Sequence, residues 1–227
     1  MSAPISIVIP TLDATATLGP CLAALTPGLF DGLVAELILA DGGSSDGIEA
    51  LAEEAGAILL RAPRGRGAQL AAGCATARAP WLLVLHADTR LSPDWPAAVA
   101  AHLRDTPDRA GWFRLRFDTR ARAGGLVAGW ANLRARLFGL PYGDQGLLVR
   151  RDLYRAAGGF PAIPLMEDVA LVRRLRLAPL DAVATTSAAR YERDGWLARG
   201  WRNLTTLALW YAGVAPERLA RRYARGR

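Results

Sequence analysis

Lysine is missing from all 227 residues, and cysteine, histidine and methionine occur twice each. Without lysine, the formal charge of +7 rests wholly on arginine. Such a surplus suits an anionic partner, whether a nucleotide, a nucleic acid or an acidic membrane. Arginine in place of lysine, beside abundant alanine, is also what a compositionally biased genome produces, so the choice of arginine at any one position says little. The two cysteines, Cys21 and Cys74, stand far apart in alanine-rich, helix-like stretches with no CxxC pair and no histidine beside them. That excludes a thiolate zinc site and leaves them as small core residues. No apolar run reaches the ~18 residues of a membrane-crossing helix; Leu204 to Val214 comes nearest and is too short. Met1, Ser2, Ala3 and Pro4 lead directly into a short apolar strand, without the basic start and long apolar stretch of a secretory leader. A cytoplasmic location is therefore expected. No internal repeat or low-complexity linker interrupts the chain, which is 52% hydrophobic and long enough for one sizeable core.

What is present is an alternation. Ile5 to Ile9 is a continuous β-branched run closed by Pro10, as in a strand buried on both faces, and Ala14 to Leu25 follows with helical character. Leu33 to Ala40, Ala57 to Arg61 and Trp81 to His86 repeat the strand pattern, with helices expected over Ser44 to Ala55 and Gly67 to Ala77. Such βαβ alternation predicts an α/β fold with a parallel sheet and helices on both faces. Further on, Trp112 to Asp118 and Gly146 to Arg150 read as strands, and Gly125 to Phe138 and Met166 to Leu177 as helices. The tail, Trp196 to Tyr223, holds two helix-like segments parted by Gly213 and Pro216.

In open parallel sheets, ligands bind beyond the carboxyl ends of the strands. Here those ends carry Thr11 and Asp13, then Asp41, Gly42, Gly43, Ser44, Ser45 and Asp46, then Asp88 and Thr89. Capping and turn formation explain Ser44 and Ser45 well. They explain less well why acids end both the second and the fourth strand, since neighbouring buried carboxylates are costly unless they share a cation.

The segments Ser6-Ile-Val-Ile-Pro-Thr11, Leu39-Ala-Asp-Gly-Gly-Ser-Ser-Asp-Gly47, Leu85-His-Ala-Asp88 and Glu167-Asp168 follow one another in an order and spacing that resembles the family 2 glycosyltransferases of GT-A fold. The likeness covers roughly the first 180 residues, and its specificity lies in the four segments together. It implies a GT-A-like, Rossmann-like sheet and inverting transfer of a sugar from a nucleotide diphosphate donor, UDP first and GDP second, to a hydroxyl acceptor. It also implies a Mn or Mg ion. On this resemblance Pro10, Thr11, Asp13, Asp41, Gly42, His86, Ala87 and Asp88 belong to the donor site, with Asp41 on the base and Asp88 as the last acid of a DxD motif, holding the metal. A hard divalent cation is satisfied by one or two acids plus the substrate's own oxygens. His86 stands where the first acid of that motif usually does, a departure that leaves it a binding residue, a metal ligand or a satisfied histidine near the core.

Arg64 and Arg66, on the turn before a helix N-terminus, are suited to a base or a phosphate, and equally to a solvated loop. Glu167-Asp168 resembles the ED motif that supplies the general base, with Asp168 favoured and Glu167 the alternative. Tyr142, Asp144 and Gln145 fall where a contact to the donor sugar or acceptor is expected in this family, although the flanking Gly143 and Gly146 suit a plain tight turn as well. The expected division is a nucleotide-binding half over 1–110, an acceptor and catalytic-base half over 111–190 and a helical tail over 191–227, within one domain.

The tail mixes Trp196, Trp201, Trp210 and Tyr211 with Arg199, Arg202, Arg218, Arg221 and Arg222. That mixture suits peripheral attachment to the inner face of an anionic membrane and a lipid-linked acceptor, or else a helix covering a sheet edge with its aromatics inward. No QxxRW-type signature of processive synthases is evident, which favours single-sugar transfer. Three other classes fit the sequence less well. A sugar nucleotidyltransferase would carry a glycine-rich basic loop where Pro10 to Asp13 stands. A nucleic-acid module would gather its arginines on one face, whereas these are dispersed, so no nucleic-acid partner is expected. A non-catalytic nucleotide-sugar-binding protein of the same fold is the alternative that the missing first acid at His86 invites, with the retained Glu167-Asp168 pair counting against it.

Overall fold

The structure is a computed structural model that describes residues 3–225. Met1 and Ser2, where the leaderless reading of the N-terminus begins, lie outside those residues.

The β-branched run forms β1 (Ile5–Thr11), and strand alternation divides it between two cores. Ile5, Ile7 and Ile9 join Leu39, Leu83, Trp95 and Phe113 on one face of the sheet. Val8 joins Ile38, Leu82, Val84 and Val149 on the other. Ser6, also on the second face, is buried with its hydroxyl donating to Glu36 at 2.6 Å and accepting from the Ala79 amide at 3.0 Å. The two cysteines lie one in each core, as expected, and burial pushes both thiols up to about 12.

The expected units follow as α1 (Thr15–Ala23), a short α2 (Thr26–Phe30), β2 (Val34–Asp41), α3 (Ile48–Glu54), β3 (Ile58–Arg61), α4 (Arg66–Thr76) and β4 (Trp81–Val84). β3, β2, β1 and β4 pair in parallel in that order, and the register sets Thr11 beside Asp41 and Asp41 beside Arg61. The chain continues through β5 (Thr89–Leu91), α5 (Trp95–Asp105), β6 (Ala110–Asp118), α6 (Arg122–Phe138), a 3-10 turn at Gly143–Gln145, β7 (Leu147–Arg150) and α7 (Arg151–Ala156). The last elements are α8 (Glu167–Val172), β8 (Leu177–Ser187), α9 (Ala189–Asp194), α10 (Trp196–Tyr211) and α11 (Pro216–Arg225).

All eight strands form one sheet, ordered β3-β2-β1-β4-β7-β6-β8-β5. β7 runs antiparallel to both β4 and β6, and β5 antiparallel to β8, so the sheet is mixed with a parallel majority. One expected helix is cut short. The helix expected over Met166 to Leu177 ends at Val172, and Leu177 instead opens β8, which lies between β6 and β5. Pro179 cannot donate within a continued helix, and Val183, Thr185 and Thr186 favour extended backbone.

Candidate active site

At the carboxyl ends of β1 and β2 the loops are latched to each other. Asp13, at a left-handed φ of 47°, donates its amide to the Ser44 hydroxyl at 2.9 Å, and its carboxylate accepts from the Ser45 amide at 2.9 Å. Asp46 accepts from the Thr15 amide at 2.8 Å. Asp41 has no exposed surface and accepts from the Thr11 hydroxyl at 3.1 Å, the Gly43 and Ser44 amides at 2.9 Å each, the Ser44 hydroxyl and Arg61. Burial opposes its charge, but these hydrogen bonds win and hold the carboxyl down at about 2. Where Thr11 and Asp41 are expected to face a nucleoside, both side chains are here buried and bonded within the protein. Gln69, buried on α4, donates to the carbonyls of Thr11 at 2.6 Å and Ala40 at 2.9 Å and so braces both strand ends. Pro10 is half-buried at the end of β1 and Gly42 is buried against Gln69, where a Cβ would come within 3.1 Å. Arg64 is exposed on its turn and lies outside the cleft.

The cleft itself opens beyond β4. Arg66, His86, Asp88, Tyr142, Gly143, Asp144 and Asp168 line one side. Ala87 is buried behind them. Arg66, in the first turn of α4, forms an ion pair with Glu167, and α4 reaches this position because residue 67 is glycine. A Cβ there would stand 2.5 Å from the Pro161 carbonyl oxygen and 2.6 Å from that of Ile163. Glu167 is fully buried beneath Asp168, and burial raises its carboxyl above the ordinary range against the pull of Arg66. Glu167 gives one oxygen to Arg66, its Oε2 is buried without a partner, and the residue does not line the cleft, which leaves Asp168 as the acid of the pair that faces it. The reason is helical geometry: consecutive residues point about 100° apart, so only one of the two acids can face outward. Met166, just before them, takes a left-handed φ of 68°, which turns the chain sharply into α8.

Asp168 accepts from the Gly143 amide at 2.8 Å and from the Val169 amide at 2.8 Å. His86 packs on Gly143 so closely that a Cβ there would stand 2.5 Å from its Nε2. Burial, with Arg66 and Arg190 nearby, keeps the His86 imidazole neutral well below its usual range. Asp144 is pushed up to about 6, first by burial and then by Asp168 and Asp88, with Arg134 and Arg66 opposing, and its Oδ1 is buried without a partner. Tyr142 lies under the Arg134 guanidinium, 3.5 Å from ring centre to Cζ. Gln145 does not belong to the cleft, contrary to expectation. It has no exposed surface, and its amide bonds Asn132 at 3.2 Å and the Tyr142 amide at 3.3 Å, closing the 3-10 turn from inside.

The opposite wall was missed by sequence reasoning. It comes from Thr186 and Ser187 at the end of β8, Arg190 and Tyr191 on α9, Arg199, Asn203 and Thr206 on α10 and Tyr223 on α11. The spacing of Arg199, Asn203 and Thr206 is a helical stripe of polar residues, and that stripe was the available signal. Among the described residues no group of three or more His, Cys, Asp or Glu closes round a metal ion. What is present fits a cation that arrives with substrate: Asp88 at the strand end, neutral His86, and the crowded carboxylate of Asp144 with its orphaned oxygen, whose repulsion a cation would relieve.

A sheet with acids beyond its parallel strand ends, a basic residue at a helix start and a second acid opening α8 is the arrangement of a GT-A transferase. The family described as Glycosyl transferase family 2 matches residues 6–129, more than half of the sequence, and the chain belongs to it. It is a glycosyltransferase. Among solved structures, it is similar to glucosyl-3-phosphoglycerate synthase from Mycobacterium tuberculosis in complex with Mn2+, UDP and glucosyl-3-phosphoglycerate, at 24% identity and a TM-score of 0.56 over 81% of this chain and 70% of that one. A structure described as a mycobacterial protein matches at 28% identity and a TM-score of 0.54, over 81% of this chain and 65% of that one. TarS 1-349 from S. aureus matches at 12% identity and a TM-score of 0.63, over 90% and 64%. The chain thus spans about two thirds of the length of these proteins. No curated protein matches it significantly.

Proposed function

We propose that the chain is an inverting glycosyltransferase that takes a sugar from a nucleotide diphosphate donor, UDP before GDP, and passes it singly to a hydroxyl acceptor. The observation that carries this reading is the meeting of Asp88, Asp168 and Arg66 in one cleft beyond the parallel strands. The UDP present in the mycobacterial synthase structure supports the choice of nucleotide. In this reading residues 1–110 hold the donor, 111–190 supply the base and acceptor contacts, and the tail closes the cleft.

Asp168 is the general base. The Gly143 amide fixes its Oδ2 at 2.8 Å, so the carboxylate is oriented before substrate arrives. It takes the acceptor hydroxyl proton as that oxygen bonds the anomeric carbon, and the bond from that carbon to the diphosphate oxygen breaks with its electron pair leaving on the diphosphate. Displacement from the opposite side inverts the anomeric centre. Arg66, facing the same cleft, meets the negative charge that develops on the leaving group. A divalent ion held by Asp88 with the diphosphate oxygens, and with His86 or Asp144 beside it, would supply further neutralisation there.

The test is calorimetric titration with UDP and GDP, with and without Mn, on wild type and Asp88→Ala. Manganese-dependent binding of one diphosphate that disappears in the variant is the expected outcome. Absence of binding to either nucleotide under every metal condition overturns the reading.

A further inference from the structure

Eleven large apolar side chains are exposed on the described residues, and nine of them lie on two helices. α6 presents Leu126, Trp130, Leu133, Leu137 and Phe138 to solvent while burying Gly124, Ala128, Ala131 and Ala135 against the sheet. The first four of those exposed positions recur at helical spacing, and so form one face. α10 does the same with Leu197, 90% exposed, Trp201, 70% exposed, Leu204 and Tyr211. At 100° per residue this apolar face lies opposite the Arg199, Asn203 and Thr206 stripe that lines the cleft. The two helices touch, with Trp196 at the start of α10 lying against Gly124 in the first turn of α6.

The charges around these faces are predominantly positive. From Thr119 to Gly143, and again from Gly195 to Pro216, there is no Asp or Glu, while Arg120, Arg122 and Arg136 accompany the apolar residues of α6. α11, packed on α10, adds exposed Arg218, Arg221 and Arg222 against a single acid, Glu217. Glu192 on α9 accepts from the Thr119 hydroxyl at 2.7 Å. Aromatic and aliphatic side chains bordered by more arginines than carboxylates match the boundary between headgroups and acyl chains of an anionic bilayer. A second copy of the chain is poorly matched to the same surface, because a two-fold interface sets each patch against itself and would bring arginine to arginine with few acids to offset them.

We propose that the outer faces of α6 and α10 form a bilayer-docking surface selective for anionic lipid, which holds the cleft on the inner side of α10 next to the membrane. Trp130→Ser and Trp201→Ser, alone and together, test it, since both residues are solvent-facing and neither lines the cleft. Flotation of the full chain with vesicles of phosphatidylglycerol and phosphatidylcholine, and with phosphatidylcholine alone, reads partition directly. Binding to the anionic vesicles is expected, weaker on neutral ones, with each substitution lowering the partition coefficient on the order of tenfold. Sedimentation velocity should show a monomer without vesicles. No binding to anionic vesicles at low salt overturns the proposal. So does vesicle binding that salt abolishes but the tryptophan substitutions leave unchanged, because charge alone would then explain it. A concentration-dependent dimer that the same substitutions dissolve, without vesicle binding, makes the surface an interface between copies and overturns it equally.

Discussion

Glu167 and Asp168 are adjacent in sequence and opposite in situation, and substitution separates their roles. Asp168 faces the cleft with an oxygen fixed by Gly143, so Asp168→Asn should leave stability nearly unchanged and lower turnover by about 10²–10⁴-fold, the usual loss of a general base. Glu167 is sealed in against Arg66, and Glu167→Ala should cost about 2–4 kcal/mol, because it opens a void beneath Asp168 and leaves the Arg66 guanidinium without its partner. Urea unfolding and donor turnover, measured on both variants, check the pair. The Asp144 carboxyl makes a second prediction, about pH. Its value in the folded protein is raised to about 6 from an ordinary 3.8, so between those values the folded state holds a proton that the unfolded state has released. Its contribution to stability is therefore fully present below the ordinary value and is lost as pH rises through about 6. Asp144→Asn removes that loss, and its unfolding free energy should exceed wild type at pH 7.5 by on the order of 1–2 kcal/mol, with little gain at pH 4. Saturating Mn and UDP should narrow the gap at pH 7.5 if a cation sits among these acids.

Two glycines show how element placement, rather than side-chain chemistry, makes the cleft. Gly67 lets the start of α4 meet the carbonyls of Pro161 and Ile163, and Gly143 lets the 3-10 turn lie against His86. An alanine methyl at 143 would stand 2.5 Å from His86 Nε2 and 3.4 Å from Asp168 Oδ2, so something must move. Gly143→Ala should cost about 1–3 kcal/mol by overpacking and should lower turnover by displacing the Gly143 amide from Asp168, which melting and donor consumption would reveal. The first half of the fold was readable because its information is local: apolar runs make strands, and the acids that end β2 and β4 sit beside their own motif residues. Asp88 and Asp168, each singled out by its own short segment, both line the cleft. β8 was not found, since Leu177-Ala-Pro-Leu-Asp-Ala-Val has no strong alternation and follows an amphipathic stretch that reads on as helix. Gln145 was misjudged because its partners, Phe113 and Asn132, are distant in sequence. The burial of Asp41 under Arg61 likewise follows from strand register, which no single segment encodes.

At the scale of the molecule, the cleft is finished by the chain's last elements, and one carboxylate ties them together. Asp194, at the end of α9, accepts from Arg193 and Arg199 at 2.8 Å each and from Arg202 at 3.4 Å. Arg199, 7% exposed at its side chain, donates in turn to the Tyr223 hydroxyl at 3.1 Å. Tyr223 donates to Asn203 at 3.1 Å, and Asn203 donates to Tyr191 at 3.0 Å. α9, α10 and α11 are thus one hydrogen-bonded unit whose inner face is a wall of the cleft. Hydrogen bonds and ion pairs from the arginines, Arg193 first, hold the Asp194 carboxyl down at about 2, so the hub persists above the ordinary carboxylate range and is lost only as pH falls toward 2. Asp194→Ala would leave Arg199 buried without a counter-charge, and that penalty falls on the tail alone, because the β1–β4 half makes none of these contacts. The variant should show new tryptic cleavage at Arg193, Arg199 and Arg202 while the strand core stays resistant. Titration should still find UDP binding at the strand ends, with sugar transfer reduced because the cleft has lost one wall. Cleavage unchanged from wild type would mean that the tail is held by its apolar packing instead, through Leu219, Leu207 and Trp210 on the core below it.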